Sequence, residues 1–218
     1  MDKYYNLVAG LDTITERLSR GQCGALSLEG TWDGHTWLSK RDLPGSPTDS
    51  KGRPMVYREW QVLCQLQDTG LVPVVDMEID PQDEEYLLIS CIDNAASIGD
   101  YCSAYLEGLI PLEVLKEILS LVADTVARFH DLAWCHNDLH ANNIVIGHNR
   151  YTWEVYIIDL AVATHDNRVP AWLSREFIIE DDADEDIARL TGDISALAGG
   201  CADPCRVEQL NLLLSRLF

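Results

Sequence analysis

The chain has 218 residues, 47% of them hydrophobic and 24% charged, enough to build one compact domain or two small lobes around a real core. It has no run of 18 or more apolar residues, which excludes a helical membrane span, and the opening stretch MDKYYNLVAGLDTITERL lacks the apolar h-region of a secretory leader. A net charge of −20 excludes the basic surface that a nucleic-acid binder needs; it suits solubility first, and basic peptides or polyamines as partners second.

In chain order, residues 25–32 and 35–43 alternate like strands and flank Asp33-Gly34, which predicts a β-hairpin. Residues 43–54 form a loop rich in Pro, Gly and Ser. Over 55–67, Val56, Trp60, Leu63 and Leu66 share one helical face. Residues 71–80 and 85–93 read as a second strand pair around a polar, Pro-containing turn. After Ser97 the pattern turns helical. Leu112, Leu115, Leu119, Val122, Val126 and Phe129 repeat at helical spacing, and that helix ends near His130. NNIVI and EVYIIDL then predict two strands around the turn GHNRYTW, and DEDIARLTGDISAL and PCRVEQLNLLLSRLF predict two closing helices. The seven cysteines are scattered and odd in number, so they read as reduced thiols; Cys201-x3-Cys205 has no second pair at zinc spacing.

Between the long helix and the strand NNIVI lies HNDLHANN, residues 136–143, with two histidines, a carboxylate and three asparagines at the foot of a strand. His136-x-Asp138-x4-Asn143 resembles the catalytic loop of the protein-kinase-like superfamily, H-x-D-x-x-x-x-N, and Tyr156 to Ala161 resembles the strand that ends in that superfamily's metal-binding aspartate, here Asp159. Upstream parts follow in the family's order. Gly21-x-x-Gly24 resembles the surviving part of a glycine-rich loop, with Ser19 where the first glycine would stand. Lys40 falls sixteen residues after Gly24, and Glu59 lies in the helix that follows.

The resemblance spans roughly residues 14–198. It implies an α+β, two-lobed protein-kinase-like fold over 1–218: a β-rich N-terminal lobe with one main helix (about 1–92), a hinge (about 90–99) and a shortened helical lobe (about 100–218). It implies ATP and Mg²⁺ as cofactors. Asp138 would position the acceptor hydroxyl and take its proton. Asn143 and Asp159 would hold Mg²⁺ through oxygen. Lys40, paired with Glu59, would bind the α/β-phosphates, and Gly21 and Gly24 would let backbone N–H groups approach them. Ser90 to Ile92 would offer backbone groups to adenine, and His140 would lie near the γ-phosphate. Asp186 resembles the buried aspartate that ties down the catalytic loop, or is simply an acid at a helix N-terminus.

The departures carry meaning too. Asn137 replaces the Arg that answers an activation-loop phosphate, so no such switch is expected. His140 replaces the Lys usual in Ser/Thr kinases and looks more like the aminoglycoside or choline kinases, or divergent protein kinases. Asp159 is followed by Leu-Ala instead of Phe-Gly, and no Ala-Pro-Glu is present. Only 59 residues follow Asp159, a size known among bacterial effectors and viral kinases. The reading is a minimal Ser/Thr protein kinase acting on a protein, basic for preference, because the second lobe looks too small for a dedicated small-molecule pocket. The alternatives are a small-molecule kinase of the aminoglycoside/choline type and a kinase-shaped binding protein without catalysis. A metal site on His136, His140 and His148 with Asp138, or a nucleophilic Cys135, would explain fewer residues. The expected location is the cytoplasm, with a non-Sec export route left open. The sequence names no activating partner.

Overall fold

The computed structural model describes residues 24–32, 35–79, 85–92, 95–148, 152–166 and 168–218. Strands β1 (Gly24–Trp32) and β2 (His35–Asp42) form the expected antiparallel hairpin, Trp32 facing His35 across the two-residue connection. Helix α1 (Met55–Leu66) follows the Pro/Gly loop, and β3 (Val75–Ile79) and β4 (Glu85–Ser90) complete a sheet ordered β1-β2-β4-β3. The strand expected over 71–80 starts later, at Val75. Pro73 has no N–H to give a ladder, and the Leu71 carbonyl instead accepts from the Ile157 N–H at 2.8 Å.

The β-pattern then gives way to helix. A short strand, β5 (Ala96–Ser97), leads directly into α2 (Ile98–Leu106), where Ser97 and Asp100 form a reciprocal capping box that satisfies two end N–H groups. Helix α3 (Leu112–Asp131) buries Leu115, Leu119, Val122, Val126 and Phe129 in one core, as its spacing predicts, while Leu112 is only partly buried and Ile118 joins the core beside them. At roughly 1.5–3 kcal/mol per buried side chain, this stripe holds the helix in place. Strand β6 (Trp134–Cys135) pairs with β9 (Thr164–His165), while β7 (Ile144–His148) lies between β5 and β8 (Trp153–Ile157). A one-turn helix, α4 (Leu173–Glu176), precedes α5 (Ala183–Leu197) and α6 (Pro204–Leu217). The β6–β9 ladder was not legible: two-residue strands have no period to read.

A carboxylate at the end of a strand ties the sheet to the start of α1. The Asp42 carboxylate, at the end of β2, accepts from the Met55 and Val56 N–H groups and so caps this helix, whose own N-cap, Pro54, offers no side-chain acceptor. The strand bearing Lys40 is thereby tied to the helix bearing Glu59. Among the described residues, no helix is long and apolar enough to cross a membrane. Cys102, Cys135, Cys201 and Cys205 are free thiols, and no cluster of three or more His, Cys, Asp or Glu among the described residues could hold a metal.

Candidate active site

Lys40 projects from β2 between two carboxylates. Its Nζ lies 2.6 Å from Glu59 Oε2 and 2.7 Å from Asp159 Oδ1. Burial opposes the ammonium charge, but Glu59 and Asp159 outweigh it and push the Lys40 pKa well above the ordinary lysine value. Burial raises the Glu59 carboxyl, and the lysine pulls it back. The Leu160 N–H also draws it down, although no hydrogen bond of normal geometry reaches Oε1. Asp159 is held below the usual carboxylate range, chiefly by the Lys40 charge, which outweighs the opposing effect of burial.

Asp159 has φ = 61°, in the left-handed region that Asp tolerates better than most residues. The missing Gly after it is therefore no obstacle, because the sharp turn falls on the aspartate itself. The chain beyond it is pinned from two sides. Arg58, beside Glu59 on α1, donates from Nε to the Ala161 carbonyl (2.8 Å) and from Nη2 to the Ala163 carbonyl. Asn137 donates from Nδ2 to the Val162 carbonyl (3.1 Å) and the Thr164 hydroxyl (2.9 Å) and accepts from the Asp181 N–H (2.8 Å).

The loop 136–143 is built from its own side chains and from α5. Asp186 is buried and accepts from the His136 N–H (2.6 Å) and Asn137 N–H (2.9 Å), with His130 Nε2 at 3.2 Å. This decides between the two readings of Asp186 in favour of the loop tie. Two helical turns along, Asp193 accepts from the Ala141 N–H at 2.8 Å. His136 is fully buried; Nε2 faces the Ile158 carbonyl at 2.9 Å and Nδ1 accepts from the Asp138 N–H at 3.3 Å, which assigns the Nε2–H tautomer. Burial lowers its pKa and keeps it neutral. With both ring nitrogens committed, His136 has no lone pair for a metal, so the histidine-metal alternative loses a ligand. The Cys135 thiol is pushed up to about 11, by burial first and nearby Asp186 next, the wrong direction for a nucleophile.

Asn143 donates Nδ2 to the Asp138 carbonyl at 2.9 Å, which fixes the side-chain amide and with it the Oδ1 acceptor. Its backbone carbonyl accepts from the Ile158 N–H at 3.0 Å, and Ile144 pairs with Ile157. Asn143 and Asp159 thus sit at the same end of the β7–β8 hairpin. An amide oxygen and an ionised carboxylate are hard donors, and they fit a Mg²⁺ ion that takes its remaining oxygens from phosphate and water. The Asp138 carboxylate is half exposed, with Arg189 Nη1 from α5 at 3.6 Å; Arg189 Nη2 also meets Glu180 at 3.2 Å. His140 Nδ1 accepts from the Asn142 N–H at 3.2 Å, so a neutral ring carries its proton on Nε2.

Not every expected residue falls in this group. Gly21 lies outside the described residues, and Gly24 opens β1 opposite Asp42. The Ser90 N–H is committed to the Val74 carbonyl at 2.8 Å, so adenine contact at that residue is left to its carbonyl. Ile92 follows β4 in the connection to β5. Reading the sequence missed Arg58, Asp193 and Arg189. The first stands beside Glu59, and the other two lie seven and three residues from Asp186, a helical spacing that could have flagged one face.

A lysine locked between a helix glutamate and a strand-end aspartate, beside a braced H-x-D-x4-N loop, defines a protein-kinase-like phosphotransferase. Comparison with known proteins narrows the class. The model of the lipopolysaccharide kinase (Kdo/WaaP) family matches residues 48–179, more than half of the chain, and the chain belongs to that family. A solved structure described as WaaP in complex with acyl carrier protein superposes with a TM-score of 0.53 at 16% identity, covering 98% of this chain and 88% of that one. The likeness establishes the α+β kinase-like fold. No curated protein matches the sequence.

Proposed function

We propose that the chain transfers the γ-phosphate of ATP to a hydroxyl of a small-molecule acceptor, a sugar of the lipopolysaccharide class, with Mg²⁺ as cofactor. The observation that carries the transferase chemistry is the Lys40 clamp: one ammonium held at 2.6 and 2.7 Å by two carboxylates, one on α1 and one just past β8. The acceptor class rests on the family match, whose span includes Glu59, Asp138, Asn143 and Asp159. It favours the small-molecule alternative over a protein serine or threonine. The shortness of the helical half, which argued for a protein acceptor, loses its force. A chain from a kinase family named for lipopolysaccharide is matched over 88% of its length by this one.

In this reading nucleotide sits between the sheet with α1 (about 1–92) and the helical half (about 100–218), joined by a hinge near 90–99. Lys40 binds the α/β-phosphates, and Glu59 fixes the lysine. Asn143 and Asp159 would hold Mg²⁺, which supplies charge neutralisation on the β/γ-phosphate oxygens when bound. Asp138 orients the acceptor hydroxyl and accepts its proton. The bond from the γ-phosphorus to the bridging β–γ oxygen breaks, a bond from phosphorus to the acceptor oxygen forms, and ADP leaves. Arg189 holds the Asp138 carboxylate before the acceptor arrives and is then placed to meet anionic oxygen. Most of the acceleration is positioning and charge compensation, since phosphoryl transfer needs little covalent help.

The test is transfer from γ-labelled ATP to purified lipopolysaccharide core and to a protein mixture, side by side, with Asp159→Asn as control. Label on the glycan that vanishes in the control is the expected result. Label on protein alone would return the assignment to a protein kinase. Nucleotide binding without transfer to either would favour the kinase-shaped binder.

A further inference from the structure

Four consecutive residues after Leu160 are each held by a side chain from elsewhere, and the two holders alternate. Arg58 takes the carbonyls of Ala161 and Ala163; Asn137 takes the Val162 carbonyl and the Thr164 hydroxyl. The Ala163 N–H turns back to the Leu160 carbonyl at 3.1 Å, so the stretch is a closed turn gripped on both edges. Arg58 comes from α1, Asn137 from the catalytic loop. Beyond the turn, Thr164 donates to the Asp181 carboxylate, and the Asp166 N–H donates to the Ala133 carbonyl at 2.8 Å. The Arg58 guanidinium lies 5.8 Å over the Trp172 ring, which limits its swing.

The placement of Arg58 beside Glu59 matters most. Glu59 fixes Lys40, Lys40 touches Asp159, and Arg58 fixes the turn that starts at Asp159. One helix therefore sets both the phosphate-binding lysine and the turn that follows the metal-binding aspartate. Asp159 needs this help: its left-handed φ costs free energy that its neighbours must offset, and half of its side chain faces solvent. In a turn of this kind a guanidinium can span two carbonyls with a fixed fork, which an ammonium cannot.

We infer that Arg58 is a positioning residue for Asp159, holding the turn of residues 160–164 so that the aspartate meets Mg²⁺·ATP in a preset orientation without a covalent modification of that segment. The inference rests on the functional reading above, in which Asp159 is a Mg²⁺ ligand. Side chains that hydrogen-bond a metal ligand directly carry roughly 10–100-fold in metal affinity, and Arg58, acting through the backbone of Ala161 and Ala163, is expected at the lower end of that range.

The experiment compares wild type, Arg58→Met and Arg58→Lys. Met keeps most of the buried stem and removes the fork; Lys restores the charge and reaches one carbonyl. Hydrogen exchange on the protein without nucleotide reads the turn, and ATP binding across a Mg²⁺ titration reads the metal. In Arg58→Met, the amides of 160–164 should exchange faster while those of α3 stay protected, and the Mg²⁺ concentration for half-maximal tightening of ATP should rise about 10-fold or more. Arg58→Lys should fall between. Faster exchange with an unchanged Mg²⁺ titration would assign Arg58 to structure alone and overturn the inference, as would no change in either. If Arg58→Met does not fold, Arg58→Lys decides by the same two readings. A wild-type protein that binds ATP without regard to Mg²⁺ would overturn the functional reading and this inference with it.

Discussion

Asp138 and Asp159 expose the same fraction of their side chains, 49% each, yet they stand in opposite surroundings. Asp159 touches an ammonium at 2.7 Å, and the turn beyond it is gripped by Arg58 and Asn137. Asp138 has a well-fixed backbone, its N–H on His136 and its carbonyl on Asn143, but its carboxylate meets only Arg189, at 3.6 Å, among the described residues. Exposure alone does not separate them; preorganisation does. In the proposed mechanism the nucleotide end is assembled before any ligand arrives, and the acceptor end is left for the acceptor to complete. That division fits the proposed transfer, in which the phosphate donor is constant and the acceptor hydroxyl completes its own end of the site.

Substitutions at either end test this contrast. The largest effect should come from the aspartates themselves. Asp138→Asn and Asp159→Asn should each lower phosphoryl transfer by at least about 10³-fold, measured as single-turnover label transfer. Next comes the clamp. Lys40→Met leaves Glu59 buried at 1% exposure without its partner and should cost about 3 kcal/mol in urea unfolding, most of it regained in a Lys40→Met/Glu59→Met double variant. An Asp186→Ala variant strands two buried N–H groups and should cost about 2–3 kcal/mol on the same scale, with the loop amides His136 and Asn137 losing exchange protection.

A smaller effect is set by pH. Burial depresses the His136 pKa in the folded state, so the unfolded chain binds this proton more readily. The contribution is fully present above the unfolded histidine value, near 6.5, and is lost as pH falls below it toward the depressed folded value. Unfolding stability should therefore fall as the pH is lowered from about 6.5 to about 5.5, and the slope should flatten in His136→Asn. Smallest in stability is Arg189→Ala. Its ion pairs are exposed, so unfolding should shift by less than about 1 kcal/mol, while transfer falls at most about tenfold.

Much of this was readable in the sequence because its parts announce themselves locally. The Asp33-Gly34 hairpin, the α3 stripe and the HNDLHANN loop each carry a period or a motif within a dozen or so residues. The braces do not. Arg58 and Ala161 are 103 residues apart, and Asn137 and Asp181 are 44 apart. Nothing in an arginine on a helix face says which carbonyl it will meet. Asn137 was read as the absence of an arginine, and only the fold turns that absence into a clamp. The acceptor class is not legible for a different reason: chain length says little about pocket chemistry, and the family match favours a small-molecule acceptor over a protein one.

The most direct measurement is ATP affinity in saturating Mg²⁺ for wild type, Asp159→Asn and Asp138→Asn, with label transfer followed in the same preparations. The account expects Asp159→Asn to lose both nucleotide affinity and transfer, and Asp138→Asn to lose transfer while binding Mg²⁺·ATP as well as wild type. Equal nucleotide affinity in all three, or a loss confined to Asp138→Asn, would contradict the assignment of the two aspartates and the mechanism built on it.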